Sequence, residues 1–544
     1  MSDRNFDAEV LIVGAGPSGL SAAIELGMRG VSCLVVERSD RVGHAPRAKT
    51  THARSREHMR RWGIAEKLAG ASPFGVDYPA NVHFVTRLGG RPIARFDGAL
   101  ACAPDRDPRY AEHGQWIPQY RLEAVLKDHA ASLPTVRLAF GTEFLGLTQD
   151  DRSITATVRH LQAGPARTLT ARYLVGADGP RSRVRDEIGS RMEGTAFLSR
   201  NYNIVFRAPG LAERHPHGPG IMFWQINTEV PSVIGPMDRD DLWYFAPTQV
   251  PEGVTYSKGE AADLIRRATG IDLPYEVLSH DEWVASRLLA DSYRSGRAFL
   301  IGDACHLHPP FGGYGMNLGI SDGVDIGWKL AAVLRGWGGP ALLDSYQTER
   351  RRVHELVLDE SVANHAVLAN QLATPDIEDD TPAGAAARTR AAALVEQYKR
   401  AEFYSLGIVL GYTYAPSAVI LDDGTQRDWA PTRDYVPAAI PGCRAPHVWL
   451  NGATSIFDLF GPGFTLLVLG QPGEDERRAE QEAAAAGIPL KVLAMDEGLR
   501  PLYGASRLLI RPDQHVSWRG ARWPSGARSI LSRVTGHESG PDTV

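Results

Sequence analysis

The stretch that decides the fold is residues 9–19, which read EVLIVGAGPSG. A short β-branched run ends at a G-x-G-x-x-G turn, and apolar residues then recur at helical spacing as far as Gly30. A second apolar run, residues 33–36, ends in Glu37, which lies 18 positions after Gly19. Because strand, glycine turn, helix, strand and terminal acid follow in this order, the sequence predicts a Rossmann-like dinucleotide-binding unit at the N-terminus.

Each part of this unit has a physical task in holding a dinucleotide. Gly14 permits the tight turn, Gly16 lets the backbone approach the pyrophosphate, and Gly19 lets the helix pack against the strand. Free N–H groups at the helix N-terminus favour an anion. The Glu37 carboxylate would accept hydrogen bonds from the ribose hydroxyls and repel a 2′-phosphate, which favours FAD or NAD over NADP at this site. The residues expected to touch the cofactor here are Gly14, Gly16, Pro17, Ser18, Gly19, Glu37 and Arg38.

Two later segments also combine a strand with glycine turns. Residues 173–185, YLVGADGPRSRVR, read as a strand that runs into an Asp-Gly turn and a basic helix start. Residues 299–317, FLIGDACHLHPPFGGYGMN, read as a strand, a Gly-Asp turn and a glycine-rich loop that opens a helix. Glycines at 312, 313 and 315 would expose successive backbone N–H groups at that helix N-terminus, a place that stabilises negative charge.

In this order over about the first 350 residues, the three motifs resemble the single-component (class A) FAD-dependent aromatic hydroxylases, which have the para-hydroxybenzoate hydroxylase fold. The resemblance implies an α/β fold in which a Rossmann-like FAD-binding domain is interleaved with an antiparallel-sheet substrate domain. It also implies FAD as the cofactor and NAD(P)H as a co-substrate that needs no nicotinamide domain of its own. By the same resemblance, further FAD contacts fall on Arg47, Gln119, Asp178, Gly179, Asp303, Pro310, Gly313, Gly315, Met316 and Asn317.

The implied reaction is the hydroxylation of a phenol or a hydroxylated (hetero)aromatic ring. NAD(P)H reduces FAD, O2 adds at the flavin C4a, and one oxygen atom passes to an electron-rich ring while water is excluded. The chain lacks the second G-x-G-x-x-G and the C-x-x-x-x-C pair of disulfide reductases, and the W-x-W-x-I-P motif of flavin halogenases. Two alternatives stay open: a flavin oxygenase that performs epoxidation or Baeyer–Villiger oxidation, and a non-catalytic FAD-binding protein.

Catalytic candidates are the side chains near the expected flavin that could hold a proton or shape the pocket. They are His52, Tyr202, His308 and Pro309, with Lys49 and His306 as further titratable groups. Short alternating runs between residues 180 and 285 predict an antiparallel sheet over the substrate. The aromatic residues of this sheet that are candidate pocket walls are Tyr202, Phe206, Phe223, Trp224 and Tyr244.

A further unit runs from Pro441 to Gly520. It resembles the thioredoxin-like C-terminal α/β domain of the phenol hydroxylase and 2,4-dichlorophenol hydroxylase branch and of polyketide aromatic hydroxylases. No C-x-x-C is present, so a structural or oligomer-contact role is expected rather than thiol exchange. An exposed loop is predicted over residues 374–387, and poor packing over residues 521–544. The predicted segments are the FAD-binding domain (1–180 and 286–370), the substrate sheet (181–285), a helical connector and loop (371–430), the thioredoxin-like domain (431–525) and a tail (526–544).

Composition and charge exclude several classes of function for these 544 residues. Charged residues make up 23% and hydrophobic ones 43%, and 59 basic against 64 acidic side chains give a net charge of −5. No basic field exists to recruit nucleic acid or an anionic membrane, and no apolar run approaches the length of a membrane span. Cysteines 33, 102, 305 and 443 are far apart, so no metal site is expected and a reducing cytoplasm fits. The expected partners are a small aromatic substrate, O2 and NAD(P)H, and the chain is expected to form a homo-oligomer.

Overall fold

The computed structural model describes residues 6–39, 48–162, 164–248, 250, 253–425, 434–524 and 528–538. In chain order the strands are β1 (Ala8–Val13), β2 (Cys33–Glu37), β3 (Thr50–Thr51), β4 (Val82–Val85), β5 (Pro92–Phe96), β6 (Gln115–Trp116), β7 (Val136–Phe140), β8 (Thr142–Gln149), β9 (Ile154–His160), β10 (Arg167–Gly176), β11 (Met192–Arg207), β12 (Met222–Gln225), β13 (Ser232–Pro236), β14 (Leu242–Pro247), β15 (Glu276–Ala290), β16 (Arg294–Ser295), β17 (Ala298–Leu300), β18 (His306–Leu307), β19 (Phe464–Leu469), β20 (Leu490–Met495), β21 (Arg507–Ile510) and β22 (Val516–Gly520). The helices are α1 (Pro17–Gly27), α2 (Ala53–Arg61), α3 (Ala65–Ala71), α4 (Gln119–Ser132), α5 (Arg183–Glu187), α6 (Leu211–Arg214), α7 (Lys258–Thr269), α8 (Tyr314–Leu334), α9 (Pro340–His365), α10 (Ala369–Leu372), α11 (Pro382–Phe403), α12 (Leu406–Leu410), α13 (Glu474–Ala485), α14 (Arg500–Tyr503) and α15 (Arg528–Val534).

The apolar runs near the N-terminus form the centre of the first sheet. Its main order is β16-β17-β10-β1-β2-β7, and β9 and β8 extend it from β10. β1 is parallel to β2 and β10, β2 is parallel to β7, and β10 is parallel to β17. Parallel strands are covered on both faces, which explains why β1 and β2 are nearly continuous buried hydrophobic runs. The Rossmann-like domain predicted from the glycine motif is confirmed.

Helix α8 packs along α1, and both helices begin at the same end of the pair. Three glycines one turn apart on α8, at positions 319, 323 and 327, face α1. A Cβ at these positions would collide with Ser18, Ala22 and Glu25 respectively. The small residues therefore set the distance between the two helices and bring their N-termini close together.

The second sheet is the predicted substrate sheet, with the order β18-β15-β11-β14-β13-β12-β4-β5. Most neighbours are antiparallel, but β12 is parallel to β4. The predicted boundaries 181–285 were wrong in one respect, because β4, β5 and β18 come from the segments assigned to the FAD-binding domain. Strand pairing is non-local, so a division into consecutive segments could not detect these crossings.

The two faces of the substrate sheet have different neighbours. Phe206, Phe223 and Trp243 belong to a core that includes residues of α7, on the outer face. Trp224 and Tyr244 belong to a separate core that includes residues of α10 and α11 and contacts the 309–313 loop through Phe311. Alternate residues of a strand point to opposite faces, so only the second set lies on the inner face, toward the FAD-binding domain. The choice of Phe206 and Phe223 as pocket walls was therefore wrong.

The C-terminal unit has a four-stranded sheet of order β20-β19-β21-β22. β19 is parallel to β20 and antiparallel to β21, which is antiparallel to β22. Helix α13 joins the parallel strands, α14 precedes β21 and α15 follows β22. This succession is the thioredoxin-like topology, so the predicted fold class is confirmed in all its parts.

Two sequence expectations about the C-terminal half were wrong. The expected loop over 374–387 becomes helix at Pro382, because the Thr381 hydroxyl accepts the Gly384 N–H and the alanine-rich stretch favours a helix. Poor packing was expected after residue 520, but Trp523 and Ile530 of α15 are buried in one core with Trp328 and Leu342. Within the described ranges, no helix combines the length and apolar character needed to cross a bilayer.

Buried histidines predict that the fold weakens in mild acid. Burial lowers the pKa to about 4 for His52, His215 and His515 and to about 3 for His354. An unfolded histidine has a pKa of about 6.5, so between about pH 6.5 and 4 the unfolded chain binds protons that the native protein does not. The free energy of unfolding should therefore fall as pH is lowered through this window, by up to about 1.4 kcal/mol per pH unit for each such histidine. Urea unfolding at a series of pH values measures the slope.

A pair of variants tests whether the buried histidines cause this slope. His215→Gln removes one of them and should reduce the proton uptake on unfolding by about one. His280→Gln, at an exposed position of β15, is the matched control for the same substitution. A free energy of unfolding that stays constant between pH 7 and 5 would contradict the expectation.

Candidate functional site

The glycine turn after β1 leaves open the space that a dinucleotide needs. Gly14 has a φ of +106°, and a Cβ there would collide with the Ala177 carbonyl at the end of β10. A Cβ on Gly19 would collide with the Gly14 carbonyl, whereas a Cβ on Gly16 would meet no atom of the described residues within 4 Å. Gly14 and Gly19 are therefore required by the fold, and Gly16 faces a gap that a pyrophosphate would fill.

The start of α1 is built to receive an anion and lies against the Gly-Asp segment. Pro17 takes the first helical position and the N-cap is Gly16, so within the described part of the chain no side chain accepts a hydrogen bond from the N–H groups of the first turn. The Ser18 hydroxyl lies where a Cβ on Gly302 or on Gly319 would collide with it. Ser18 is half-buried and joins α1, the turn after β17 and α8. Its cofactor contact stays a prediction.

Glu37 ends β2 directly beside the glycine turn. One carboxylate oxygen accepts the Ala15 N–H at 2.9 Å and the other accepts the Ser39 N–H at 2.8 Å. These bonds fix the carboxylate at the edge of the Gly16 gap, where a ribose would lie. Arg38 follows on an exposed turn. Arg47 lies outside the described residues. Gln119 Oε1 accepts the Ala48 N–H at 3.1 Å.

The Asp-Gly turn holds the adjacent helix. The Asp178 carboxylate accepts the Arg183 and Val184 N–H groups at 2.7 and 3.1 Å and the Ser182 hydroxyl proton at 2.5 Å. Burial nevertheless raises the pKa of Asp178. Asp178 thus caps α5, and Gly179, with a φ of +82°, has open space beside it. Arg185 was missed by the sequence analysis; it donates to the carbonyls of Ala304 and Pro180 and so joins this turn to the Gly-Asp turn.

A buried carboxylate, Asp322, organises the Gly-Asp segment that contains Asp303. It accepts the Gly302 N–H at 2.9 Å and the Arg350 Nε–H at 2.7 Å, and it lies 2.9 Å from a ring nitrogen of His306 and of His354. Despite burial, His354 and Arg350 hold the pKa of Asp322 well below its usual value. Cys305, His306, Asp322 and His354 bring four possible metal-ligand atoms within 4.8 Å of one another. Because Arg350 and both histidines already hydrogen-bond the carboxylate, this cluster is a hydrogen-bonded support for the turn.

Hydrogen bonds from His52 and Asn317 hold the loop before α8 in place. His52 Nε2 lies 3.0 Å from the Gly312 carbonyl, which requires the N–H on that nitrogen, and burial lowers the His52 pKa to about 4. The Asn317 side-chain oxygen accepts hydrogen bonds from the backbone N–H of His52 and from the Ser55 hydroxyl. Its amide nitrogen donates to the Thr50 and Gly313 carbonyls. His52 is therefore held against the loop through Nε2, and its role as a catalytic residue stays a prediction. The side chain of Asn317 has no hydrogen bond left to give a cofactor.

The first turn of α8 is the part of the loop that faces open space. Gly313 begins the helix in the left-handed region, with a φ of +67°, and no side chain caps it. A Cβ on Gly315 would meet nothing within 4 Å, and Pro310 is exposed. Met316 is half-buried against the core of the first sheet. These residues leave a second gap, at the same end of the helix pair as the gap beside Gly16, and the two together fit an extended dinucleotide.

The other catalytic candidates have clear positions. Pro309 is buried, and His308 is half-buried with its Nδ1 3.2 Å from His306 Nδ1. Burial lowers the pKa of His308 well below its usual value. Tyr202 donates its hydroxyl proton to the Val254 carbonyl at 3.1 Å and packs edge-on against Tyr256. Tyr256 belongs to the outer-face core, so the choice of Tyr202 as a flavin-facing residue was wrong.

On the inner face of the substrate sheet, two lysines lie beside aromatic rings of the buried core. The ring centres of Trp224 and Phe311 lie 6.1 Å apart, and Lys399 Nζ lies 4.3 Å from the Trp224 ring centre. The Lys399 ammonium is 2.6 Å from Glu402, and Lys49 Nζ lies 4.0 Å from the Tyr244 ring centre. A cavity of about 230 Å³ lies between α9, α11 and α12 beside the Lys399 pair. The sequence analysis missed Lys399 and Glu402 because it assigned α11 to a connector.

Comparisons with known proteins agree with this geometry. Residues 7–361 match the family model described as FAD binding domain, and residues 438–537 match that described as aromatic-ring hydroxylase, C-terminal. The tetracenomycin A2 monooxygenase-dioxygenase of Streptomyces glaucescens is 32% identical, and the match covers 98% of each chain. The rebeccamycin biosynthetic enzyme RebC with reduced flavin superposes with a TM-score of 0.90 at 34% identity, covering 98% of this chain and 100% of that chain. The ternary complex of aklavinone-11 hydroxylase with FAD and aklavinone superposes with a TM-score of 0.83 at 30% identity. The match covers 98% of this chain and 99% of that chain.

Proposed function

This chain belongs to the FAD-dependent aromatic-ring hydroxylases, and from that premise we propose that it uses NAD(P)H and O2 to hydroxylate a ring that already carries a hydroxyl group. The chain is an FAD-dependent monooxygenase that acts on an aromatic ring. The observation that carries the proposal is the pair of gaps at Gly16 and Gly315, at one end of α1 and α8 and below the aromatic face of the substrate sheet.

The residues that would hold FAD divide between the two helix N-termini. The N–H groups of the first turn of α1 would receive the pyrophosphate, and Glu37 would receive the adenosine ribose. The N–H groups of the first turn of α8, around Gly315, would stabilise negative charge on the edge of the flavin ring. Bound FAD supplies the redox chemistry that passes electrons from NAD(P)H to O2 and one oxygen atom to the ring.

The protein's own contribution to the reaction is to position the ring and exclude water. Trp224, Phe311 and Tyr244 provide an apolar wall above the α8 loop, which the hydrogen bonds of His52 and Asn317 hold in place. An electrophilic oxygen transfer needs a nucleophilic ring carbon, and a ring hydroxyl makes the ortho and para carbons nucleophilic. A hydroxyarene is therefore the substrate class that we propose.

A substrate screen tests this proposal. The purified protein should be yellow, and NADPH or NADH should bleach the flavin absorption. NAD(P)H oxidation is then followed with simple phenols, hydroxypyridines and multi-ring polyketides, including aklavinone, while hydrogen peroxide release is measured in parallel. Oxidation stimulated by a ligand, without peroxide and with one oxygen atom added to the product, is the expected result. A colourless protein, or a product of ring expansion or epoxidation, would contradict it.

Two further parts of the proposal concern the state of the enzyme in the cell. We propose a cytoplasmic location, supported by four cysteines that are buried free thiols. We propose a homo-oligomer, supported by the exposed apolar side chains of Phe197 and Val284 on the paired strands β11 and β15. Sedimentation of the purified protein measures the second point directly.

A further inference from the structure

Lys49 lies where the FAD-binding domain meets the substrate sheet. Its carbonyl accepts the Ile117 N–H at 2.7 Å. Its neighbour Ala48 donates to Gln119, and its other neighbour, Thr50, packs against the Gly313 turn. The side chain points away from these cofactor-side contacts, and Nζ lies 4.0 Å from the centre of the Tyr244 ring. Lys49 therefore connects the expected flavin position with the aromatic wall of the substrate pocket.

Lys49 is half-buried, and its ammonium lacks the anionic partner that the buried lysines Lys399 and Lys329 have. Lys399 is 2.6 Å from Glu402, and Lys329 is 2.7 Å from Glu349. Among the residues that the structure describes, Lys49 has the Tyr244 ring and no carboxylate. A desolvated ammonium without an anion is costly, and burial lowers the pKa of Lys49 to about 8. The site is thus suited to a ligand that supplies either a proton or a negative charge.

We propose that Lys49 accepts the proton of the substrate's ring hydroxyl and then pairs with the phenolate. This inference rests on the proposed function and names its base. The substrate O–H bond breaks, the proton bonds to the lone pair of the neutral Nζ, and the electron pair stays on the substrate oxygen. The ring carbons ortho and para to that oxygen become more nucleophilic as a result. The Tyr244 ring face stabilises the ammonium that forms.

The other titratable groups around Lys49 are not suited to accept the proton of the substrate hydroxyl. The Tyr244 hydroxyl lies 3.4 Å from the Ile221 carbonyl, and burial raises its pKa far above neutral. His52 donates to the Gly312 carbonyl and stays neutral. A simple phenol has a pKa of ~10 and is protonated at neutral pH. An amine that loses its own proton near neutral pH is therefore well matched to the step. The pocket should accept ring hydroxyls and discriminate against their methyl ethers.

The test uses the FAD-loaded enzyme and three variants. Lys49→Met keeps the length of the side chain but removes the amine, and Lys49→Arg keeps a charge that cannot accept a proton. Lys127→Met, on the exposed side of α4, is the matched control. The probe is 4-nitrophenol, whose ionised form is yellow, followed by difference spectra against the same enzyme without probe at about pH 6. The second readout is the pH dependence of kcat/KM for the best substrate of the screen.

We expect the wild type, Lys127→Met and Lys49→Arg to bind the probe in its ionised form, and Lys49→Met to bind it protonated. In the wild type kcat/KM should rise with pH to a plateau above about pH 8. Both Lys49 variants should lose this rise, and Lys49→Met should lose about 100-fold in kcat/KM at neutral pH. FAD content and the KM for NADPH should not change.

Several results would overturn the assignment of Lys49. They are an absence of the ionised probe from the wild type, an equal ionisation by Lys49→Met, an unchanged pH profile, and a change confined to the KM for NADPH. A different result would show that the proposed function, rather than the assignment of Lys49, is wrong. A holoenzyme that ionises the probe through Lys49 and yet hydroxylates no member of the substrate screen would refute hydroxylation and leave the pairing of Lys49 with a phenolate standing.

Discussion

Gly16→Val is expected to give a folded protein that no longer holds FAD. A Cβ at Gly16 meets no atom of the residues that the structure describes within 4 Å, and the φ of Gly16, −73°, suits any L residue. The new side chain therefore costs the fold little, but it fills the gap through which a pyrophosphate would reach the start of α1. FAD affinity should fall by about 100-fold or more, which corresponds to ~2.7 kcal/mol. Fluorescence titration of the apoprotein with FAD measures the loss, and thermal unfolding of the apoprotein checks the fold.

Two further valine variants separate binding from folding. Gly259 also has nothing within 4 Å and lies on α7, so Gly259→Val should bind FAD like the wild type. A side chain on Gly19 collides with the Gly14 carbonyl, so Gly19→Val should lose thermal stability as well as FAD. A Gly16→Val protein with the wild-type FAD content would show that the cofactor does not approach this turn.

Arg511→Met is expected to destabilise the whole chain. Arg511 is fully buried and donates to both carboxylate oxygens of Glu349, at 2.8 and 3.0 Å, and to Asp325 at 3.1 Å. Lys329 pairs with the same two carboxylates. Arg511 also donates to the buried carboxylate of Asp513 at 2.7 Å, so its removal leaves three buried carboxylates to the single ammonium of Lys329. Breaking a buried ion pair in this way costs about 3–5 kcal/mol. Urea unfolding of the apoprotein measures the difference.

A surface arginine and a double variant serve as controls for this loss. Arg500 pairs with Glu497 on the exposed side of α14, so Arg500→Met should cost at most about 1 kcal/mol. Adding Glu349→Gln to Arg511→Met removes one of the charges left uncompensated and should recover part of the lost stability. Equal unfolding midpoints for Arg511→Met and the wild type would mean that the network contributes nothing to stability.

The sequence predicted the parts of the site that depend on neighbours along the chain. The turn of Gly14, Gly16 and Gly19 and the terminal acid Glu37 are fixed by local strand-turn-helix geometry, so their positions could be derived from spacing. The glycine-rich start of α8 was found for the same reason. These segments also contain the motifs that carry the family resemblance, which is why the family could be recognised from the sequence.

The rest of the site depends on contacts between distant segments. The face to which Tyr202 points depends on strand register, and a register shift of one residue exchanges the faces. His52 is a histidine beside a glycine loop in the sequence, but only the fold shows that its ring donates to Gly312. Lys399 reaches the pocket because α11 packs on the substrate sheet, and no local pattern reports that packing.

The buried charges between the two halves of the chain limit how the enzyme can be rebuilt. Arg444 of the C-terminal unit pairs with Glu57 of α2, the helix that His52 precedes, and Arg511 pairs with Glu349 of α9. A truncated enzyme that ends before the C-terminal unit would expose both carboxylates together with the apolar surface of α8 and α9. A chimera with a relative's C-terminal unit must keep both arginines, or exchange each ion pair as a whole. Modular engineering of this enzyme should therefore cut the chain within the substrate sheet's surface loops and leave the C-terminal unit in place.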